Sequence, residues 1–195
     1  MKIGAVILAG GEGRRMGGDK PLKRLAGKPL VDHVLDRISA WALPCAVSVR
    51  NRSDGAFAAK LPLLLDQEGA AGPIAGLASA FRHGEAEGWD AILTLPCYTP
   101  LLPNDLPEKL GSGLARFALA AVARSGGRLH PSCALWSVGA GAALPAYLRE
   151  RRSLTGFAGL LDAAVVDWPA EPYDPFFNVN SEEDLAVAER LLRSR

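Results

Sequence analysis

At 195 residues, with 49% apolar and 22% charged side chains, the chain suits one α/β domain with a sizeable core, and this balance excludes a disordered chain. Lys and Arg total 22 against 21 Asp and Glu, a net charge of +1, so nothing in the total asks for nucleic acid or an anionic membrane. Any anion site must come from local clustering, and no window approaches the roughly 18 apolar residues of a membrane span.

Lys2 to Ala9 is a β-branched, apolar run that breaks at Gly10 and Gly11. It reads as a buried strand entering a loop; the Gly-Glu-Gly-Arg-Arg that follows is no signal-peptide cleavage site. Leu30, Val31, Val34, Leu35, Ile38 and Trp41 recur at helical spacing, with Pro29 fitting the first turn. Pro44 to Val49 and Leu61 to Leu65 are the next predicted strands, the second ending at Asp66. Gly72-Pro73 opens a helix through about Arg82, and Asp90 to Leu95 is a further strand ending at Pro96-Cys97-Tyr98-Thr99-Pro100. Strands alternating with helices imply βαβ units and a largely parallel sheet. In the second half, Phe117 to Ala123 and Ser132 to Ser137 flank a Gly-Gly turn like a hairpin, so the sheet is expected to be mixed. Val165 to Trp168 is a last short strand, and Ser181 with Asp184 resembles a capping box opening a closing helix faced by Leu185, Ala188, Leu191 and Leu192. No repeat, low-complexity tract or linker interrupts the chain, so residues 1–195 read as a single domain. Cys45, Cys97 and Cys133 are odd in number and widely spaced, which suits reduced thiols in a cytoplasmic protein.

The most informative segment runs from Leu8 through Ala9, Gly10, Gly11, Glu12, Gly13, Arg14, Arg15, Met16, Gly17, Gly18 and Asp19 to Lys20. It follows a predicted strand directly, and in open α/β sheets ligands bind beyond the carboxyl ends of strands. Its five glycines let the backbone approach a ligand and point N–H groups at an anion. Arg14, Arg15 and Lys20 add positive charge suited to phosphate. The loop is not a Walker A motif, because Asp19 stands where the Lys belongs, and Met16 replaces the third glycine of the dinucleotide fingerprint.

The loop resembles the LAGGxGxRMGxxK signature of the sugar-phosphate and molybdenum-cofactor nucleotidyltransferases. With Gly27-Lys28-Pro29-Leu30 after it, it is most similar to the molybdenum cofactor guanylyltransferases, the MobA type. The resemblance implies a three-layer α/β/α sandwich, a Rossmann-like nucleotidyltransferase fold with a mostly parallel mixed sheet. Its nucleotide half would span about 1–100 and its acceptor half about 101–195. The implied reaction transfers GMP from GTP to molybdenum-bearing molybdopterin and releases pyrophosphate, with Mg²⁺ or Mn²⁺ as cofactor. The implied partners are GTP, molybdopterin and cofactor-biosynthesis proteins or molybdenum-enzyme chaperones, with no nucleic acid and no membrane.

Carried over residue by residue, Arg15 and Lys20 are the catalytic, triphosphate-holding cations. Leu8, Ala9, Gly10, Gly11 and Gly13 form the nucleotide cradle. Asn51 and Asp66 contact the nucleoside, and Gly76 lies in Gly72-Pro73-Ile74-Ala75-Gly76-Leu77, which matches the family's D…GPLAG segment after Asp66. Asp66 can equally be read as a loop-capping carboxylate, and Gly72-Pro73 as a plain helix start. His130-Pro131 resembles an HP element before a late strand, and Phe177-Asn178-Val179-Asn180-Ser181 resembles the family's NINTPEDL, which implies acceptor contacts for His130, Asn178 and Asn180. Asn180 is also the candidate metal neighbour, or else it and Ser181 only cap the last helix. Arg151, in a cluster with Arg149 and Arg152, either meets the pterin's phosphate or is a solvated helix end.

One departure stands out. The family reads CDxP after its third main strand, and its Asp holds the metal; here the segment is Cys97-Tyr98-Thr99-Pro100. A carboxylate is a hard ligand suited to Mg²⁺, whereas a neutral phenol is a poor one. Loss of that ligand costs on the order of two or more powers of ten in rate. Three outcomes are open: Asp66, Asn180 or Asp19 with water holds the metal, the protein binds nucleotide with a weakened catalytic site, or Tyr98 is a substitution in an otherwise active design. Tyr98 would then stack on a ligand or block the metal position. A transferase using CTP or a sugar phosphate shares the loop and is the other alternative.

Overall fold

The computed structural model describes residues 1–10, 20–67, 69–70, 72–114 and 118–193. A seven-stranded mixed sheet crosses both halves of the chain. Its strands are β1 (Ile3–Leu8), β4 (Cys45–Val49), β5 (Leu63–Leu65), β6 (Ala91–Pro96), β7 (Ala120–Ser125), β8 (Arg128–Ser137) and β9 (Ala164–Trp168), in the order β5-β4-β1-β6-β8-β7-β9. A small antiparallel pair, β2 (Arg24–Leu25) and β3 (Lys28–Pro29), lies outside it. β5, β4, β1 and β6 run parallel, β8 runs antiparallel to β6 and β7, and β9 returns parallel to β7. The mostly parallel, mixed sheet expected from the sequence is present.

Alternation along the strands divides the core in two. Ala5 and Ile7 of β1 face α1 (Leu30–Ala40) and α3 (Leu106–Leu114), through Val31, Val34, Ile38, Leu106 and Leu110. Val6 and Leu8 face α2 (Pro73–Ala86) and α5 (Leu154–Leu160), through Ile74, Leu77, Phe81 and Phe157, with the single turn α4 (Leu144–Tyr147) beside them. Helices on both faces of one sheet make three layers. Gly4 shows how close the packing is, because a Cβ there would run into the ring of Trp89.

A third, smaller cluster sets the geometry of the candidate site. Ala188 of α6 (Glu182–Arg193) and Val179 pack against Leu25 and Leu30, with Tyr98 and Phe177 against them. The expected capping box opens α6: Ser181 N–H donates to Asp184 Oδ2 at 3.0 Å, and Asp184 N–H donates to Ser181 Oγ at 3.1 Å. This cap and the apolar face behind it fix where residues 178–180 lie. Pro29 differs from its sequence reading. It ends β3 and precedes α1 with an extended ψ of 143°, so the helical turn begins at Leu30.

The predicted hairpin spans β7 and β8 and closes on Gly126 and Gly127, both at positive φ. Pairing shifts register between Val122 and Ala123, opposite the step from Ala134 to His130. Pro131 cannot donate to the ladder, so the intervening residues leave the regular pairing there.

Candidate functional site

The chain runs from β1 out to β4 and β5, then returns to β6 on the other side of β1, so the direction of winding reverses at β1 and β6. Ligands bind such sheets at this switch point, beyond the carboxyl ends of the strands. A cleft lies there. The strand ends supply Leu8, Gly10, Ser48, Asp66, Pro96 and Tyr98, and α2 supplies Gly72, Pro73 and Gly76. Ser132, from the irregular stretch of β8, completes the wall.

Asp66 is placed by its backbone, whose N–H donates to Val49 O at 2.9 Å. Ser48 Oγ donates to its Oδ1 at 2.5 Å. Burial pushes the Asp66 carboxyl above the usual range, opposed by the Ser48 hydrogen bond and the Arg50 charge, while Asp54 adds to the rise. Gly10 leaves room for this carboxylate, because a Cβ would collide with it, and the Gly10 carbonyl accepts from the Arg50 guanidinium at 2.9 Å. Gly76 does the same for the helix: a Cβ would press on Ser48 Oγ and Leu8, so only glycine lets α2 sit this close to the sheet. Gly72 holds φ at +73° before Pro73, which aims the start of the 14-residue α2 at the cleft.

At the mouth, the Lys20 ammonium lies 3.4 Å from the centroid of the Tyr98 ring and donates to Asn180 Oδ1 at 2.7 Å. Both partners are held from behind. Val179 N–H donates to Tyr98 O at 3.0 Å, and Thr99 Oγ1 donates to Asn178 Oδ1 at 2.7 Å. Asn180 N–H donates to Asp184 Oδ2 at 2.8 Å, and its side-chain amide reaches Asn178 O at 3.3 Å. Burial pushes the Tyr98 phenol up to about 12, so it is neutral at physiological pH.

Among the described residues, the donor set at that place does not fit a Mg²⁺ or Mn²⁺ ion held by the protein. Among the described residues no three His, Cys, Asp or Glu side chains gather to hold a metal. The Asn180 oxygen already accepts from an ammonium, and the residue beside it is a neutral phenol rather than a carboxylate.

The cleft and its mouth gather Leu8, Gly10, Asp66, Gly76, Tyr98, Lys20 and Asn180 from the sequence reading. Ala9 is buried beside them, its N–H donating to Ser48 O at 2.9 Å. Gly11, Gly13 and Arg15 lie outside the described residues. Asn51 is not on the cleft wall; it is exposed, and its backbone and side-chain N–H groups meet Asp54 Oδ2 at 3.2 and 3.4 Å ahead of the 3₁₀ turn Arg52–Ala58. Arg151 is exposed after α4. Asn178 is turned to Thr99. Ser48, Ser132 and Thr99 escaped the sequence reading. Ser48 carried a signal, as the one polar side chain among the apolar residues of Ala46 to Val49.

His130 is buried behind the site. Its Nε2 meets Ser125 Oγ at 2.8 Å, Ser125 donates to Asp174 Oδ1 at 2.7 Å, and the imidazole stacks on Phe176 with centroids 4.8 Å apart. Burial lowers its pKa below 6.5, with Arg128 acting the same way and Asp174 opposing. The unfolded chain therefore takes up this proton more readily, so the stabilisation is full above pH 6.5 and is lost as pH falls toward the folded value. Denaturant melts between about pH 7 and pH 5 should show a steeper acid loss for this chain than for His130→Gln. Equal slopes would remove His130 from that balance.

Residues 5–164 match the family described as MobA-like NTP transferase domain. A molybdenum cofactor guanylyltransferase from Cereibacter sphaeroides is 43% identical over 196 aligned positions, covering 99% of this chain and 98% of its own. One from Rhodopseudomonas palustris (strain BisB5) is 40% identical, covering 96% and 92%. The crystal structure of molybdopterin-guanine dinucleotide biosynthesis protein A from Archaeoglobus fulgidus superposes with a TM-score of 0.79 at 25% identity over the whole of both chains.

Proposed function

The chain belongs to the MobA-like NTP transferase family, and we propose that it transfers GMP from GTP to molybdenum-bearing molybdopterin, forming the guanine dinucleotide cofactor and pyrophosphate. The reading is supported above all by the cleft at the switch point, where the Asp66 carboxylate and the start of α2 share a wall with Tyr98, whose ring carries the Lys20 ammonium. A terminal phosphate oxygen of the pterin attacks the α-phosphorus of GTP in line; that P–O bond forms as the bond to the β-phosphate's bridging oxygen breaks. Such chemistry rests on positioning and charge neutralisation.

In this reading Lys20 and Arg15 hold the triphosphate, and the backbone from Leu8 through Ala9, Gly10, Gly11 and Gly13 cradles it. Asp66 accepts hydrogen bonds from the nucleoside, Gly76 floors the cleft, and Asn51 reaches the nucleoside from outside the cleft wall. Asn178, Asn180, Arg151 and the His130–Ser132 stretch belong to the acceptor side, His130 acting from behind through its neighbours. Any divalent cation, Mg²⁺ or Mn²⁺, arrives on the triphosphate. Residues 1–100 and 101–195 serve as nucleotide and acceptor halves of one domain. We assign the activity to the cytoplasm, with transfer of product to cofactor-biosynthesis proteins or molybdenum-enzyme chaperones. Cys45, Cys97 and Cys133 are unpaired, which suits a reducing compartment, and among the described residues no helix is long and apolar enough to cross a membrane.

The test is pyrophosphate release with molybdenum-loaded molybdopterin, with GTP and CTP in competition. GTP is expected to be preferred by at least about tenfold in kcat/KM, since one base contact made or lost is worth ~1–3 kcal/mol. CTP outcompeting GTP would sink the guanylyl assignment.

A further inference from the structure

Ser48 is wholly buried on β4, against the wall of the cleft. A buried hydroxyl costs stability unless its proton finds an acceptor. Two oxygens lie within reach, Asp66 Oδ1 at 2.5 Å and Ser79 Oγ at 3.4 Å. The shorter contact and the nature of a carboxylate, which only accepts, both direct the proton to Asp66. Ser79 spends its own proton on Gly76 O at 2.9 Å. α2 comes this near because Gly76 has no side chain, and a Cβ there would press on Ser48 Oγ. Strand and helix together therefore hold the Ser48 hydroxyl in one place.

The consequence falls on Asp66. Its backbone N–H is tied to Val49 O, but the last torsion of an aspartate is broad and nearly two-fold, so a partner must decide which oxygen lies where. Ser48 takes Oδ1. Oδ2 is then the oxygen beside Gly10, where a Cβ would collide with it, and Gly10 and Asp66 both line the cleft. One carboxylate oxygen is given to the protein, and the other is presented at the cleft wall. An acceptor fixed before the ligand arrives loses less freedom on binding.

We propose that Ser48 is a positioning residue for nucleotide binding, locking Asp66 so that its Oδ2 accepts a hydrogen bond from an N–H or O–H donor of the nucleoside. The proposal rests on the nucleotide-site reading above, in which Asp66 meets the nucleoside, and adds the residue that aims it. Ser48 touches no ligand itself and acts only through the carboxylate.

The experiment measures dissociation constants for GTP and 2′,3′-dideoxy-GTP with this chain, Ser48→Ala, Asp66→Ala and the double variant. Ser48→Ala removes one oxygen and leaves Ser79 its bond to Gly76 O, so the fold should persist. Asp66→Ala should bind GTP about 10- to 100-fold more weakly, the loss of a hydrogen bond to a charged group. Ser48→Ala keeps every atom of Asp66 and should still bind about 3- to 30-fold more weakly. In the Asp66→Ala background the same serine substitution should add less than about twofold, because its effect passes through the carboxylate. A hydroxyl that served only to pack α2 on β4 would have its full effect in both backgrounds. The dideoxy nucleotide lacks both ribose hydroxyls: a Ser48→Ala loss that persists with it assigns the donor to the base, and one that vanishes assigns it to the ribose. The proposal is overturned alone if Asp66→Ala weakens GTP binding and Ser48→Ala does not, or if the Ser48→Ala loss is undiminished without Asp66. Unchanged GTP binding in Asp66→Ala would overturn the nucleoside role of Asp66, and the proposal with it.

Discussion

Lys20→Ala is expected to lower kcat/KM for GTP by about 10²- to 10³-fold, the loss typical when a preorganised group facing developing charge is removed. The ammonium is held on the Tyr98 ring, which lines the cleft, and against Asn180 Oδ1. Removing it leaves the Asn180 oxygen facing water at a half-buried position, which costs little stability, so the effect should appear in turnover and not in melting. A charge that meets the triphosphate in both ground and transition states should raise KM as well as lower kcat. Lys20→Arg should retain part of the activity, because it keeps the charge and can still stack on the ring, but its longer, planar fork sets that charge in a different place from a compact ammonium. Steady-state kinetics of pyrophosphate release decide this. Unchanged kcat/KM in Lys20→Ala would remove Lys20 from the triphosphate site.

The parts of this molecule that follow local rules were legible in the sequence. Ile3 to Leu8 is buried on both faces because it is the central parallel strand, and such strands are apolar throughout. The capping box at Ser181 and Asp184, the hairpin at Gly126-Gly127 and the short strand at Ala164–Trp168 all appear where residue chemistry placed them. What was missed depends on the assembled fold. The short helices Leu106–Leu114, Leu144–Tyr147 and Leu154–Leu160 carry too few turns for a clear period, and are held by burial of Leu106, Leu144 and Phe157.

The site divides in the same way. Gly10, Asp66, Gly76 and Lys20 stood out by motif, and they do meet around one cleft. Nothing local in the sequence pairs Lys20 with Asn180, 160 positions away, or sets the Lys20 ammonium on the Tyr98 ring. That contact exists because Val179 and Ala188 pack against Leu25 and Leu30, drawing the closing segment onto the start of α1. His130 was selected for a role at the acceptor. The structure puts its side chain in a buried network with Ser125 and Asp174, and puts Ser132, two residues on, at the cleft. Alternation along a regular strand would put both side chains on the same face, and the break in pairing at Pro131 is what separates them.

Trp136→Ala should cost about 3–5 kcal/mol of stability, the range for truncating a fully buried aromatic side chain. Trp136 is wholly buried in β8, the strand that joins the parallel half of the sheet to the hairpin, and it pairs with Ile92 on one side and Ala120 on the other. Its indole stacks on Phe157 at 5.8 Å, and Phe157 in turn meets Phe81 edge-on at 6.4 Å and Tyr147 at 5.3 Å. This one ring thus ties α2 and α5 to the centre of the sheet, on the face where α2 covers the cleft. Truncation leaves a cavity that Phe157, itself held by Phe81 and Tyr147, fills poorly. Trp136 Nε1 also donates to Thr94 Oγ1 at 3.0 Å, but that hydroxyl has Ala134 O as a second partner at 3.3 Å, so its loss adds little. Trp136→Phe should accordingly cost only about 1–2 kcal/mol, keeping the stack while giving up some volume and the hydrogen bond. For a chain of this size the alanine variant should melt roughly 6–20 °C lower. Urea unfolding at constant slope is the measurement, since a change in slope would mean a change in the compactness of the end states. A loss under about 1 kcal/mol would show that the cluster relaxes around the gap and that α2 is held over the cleft by its own contacts with β1 and β4.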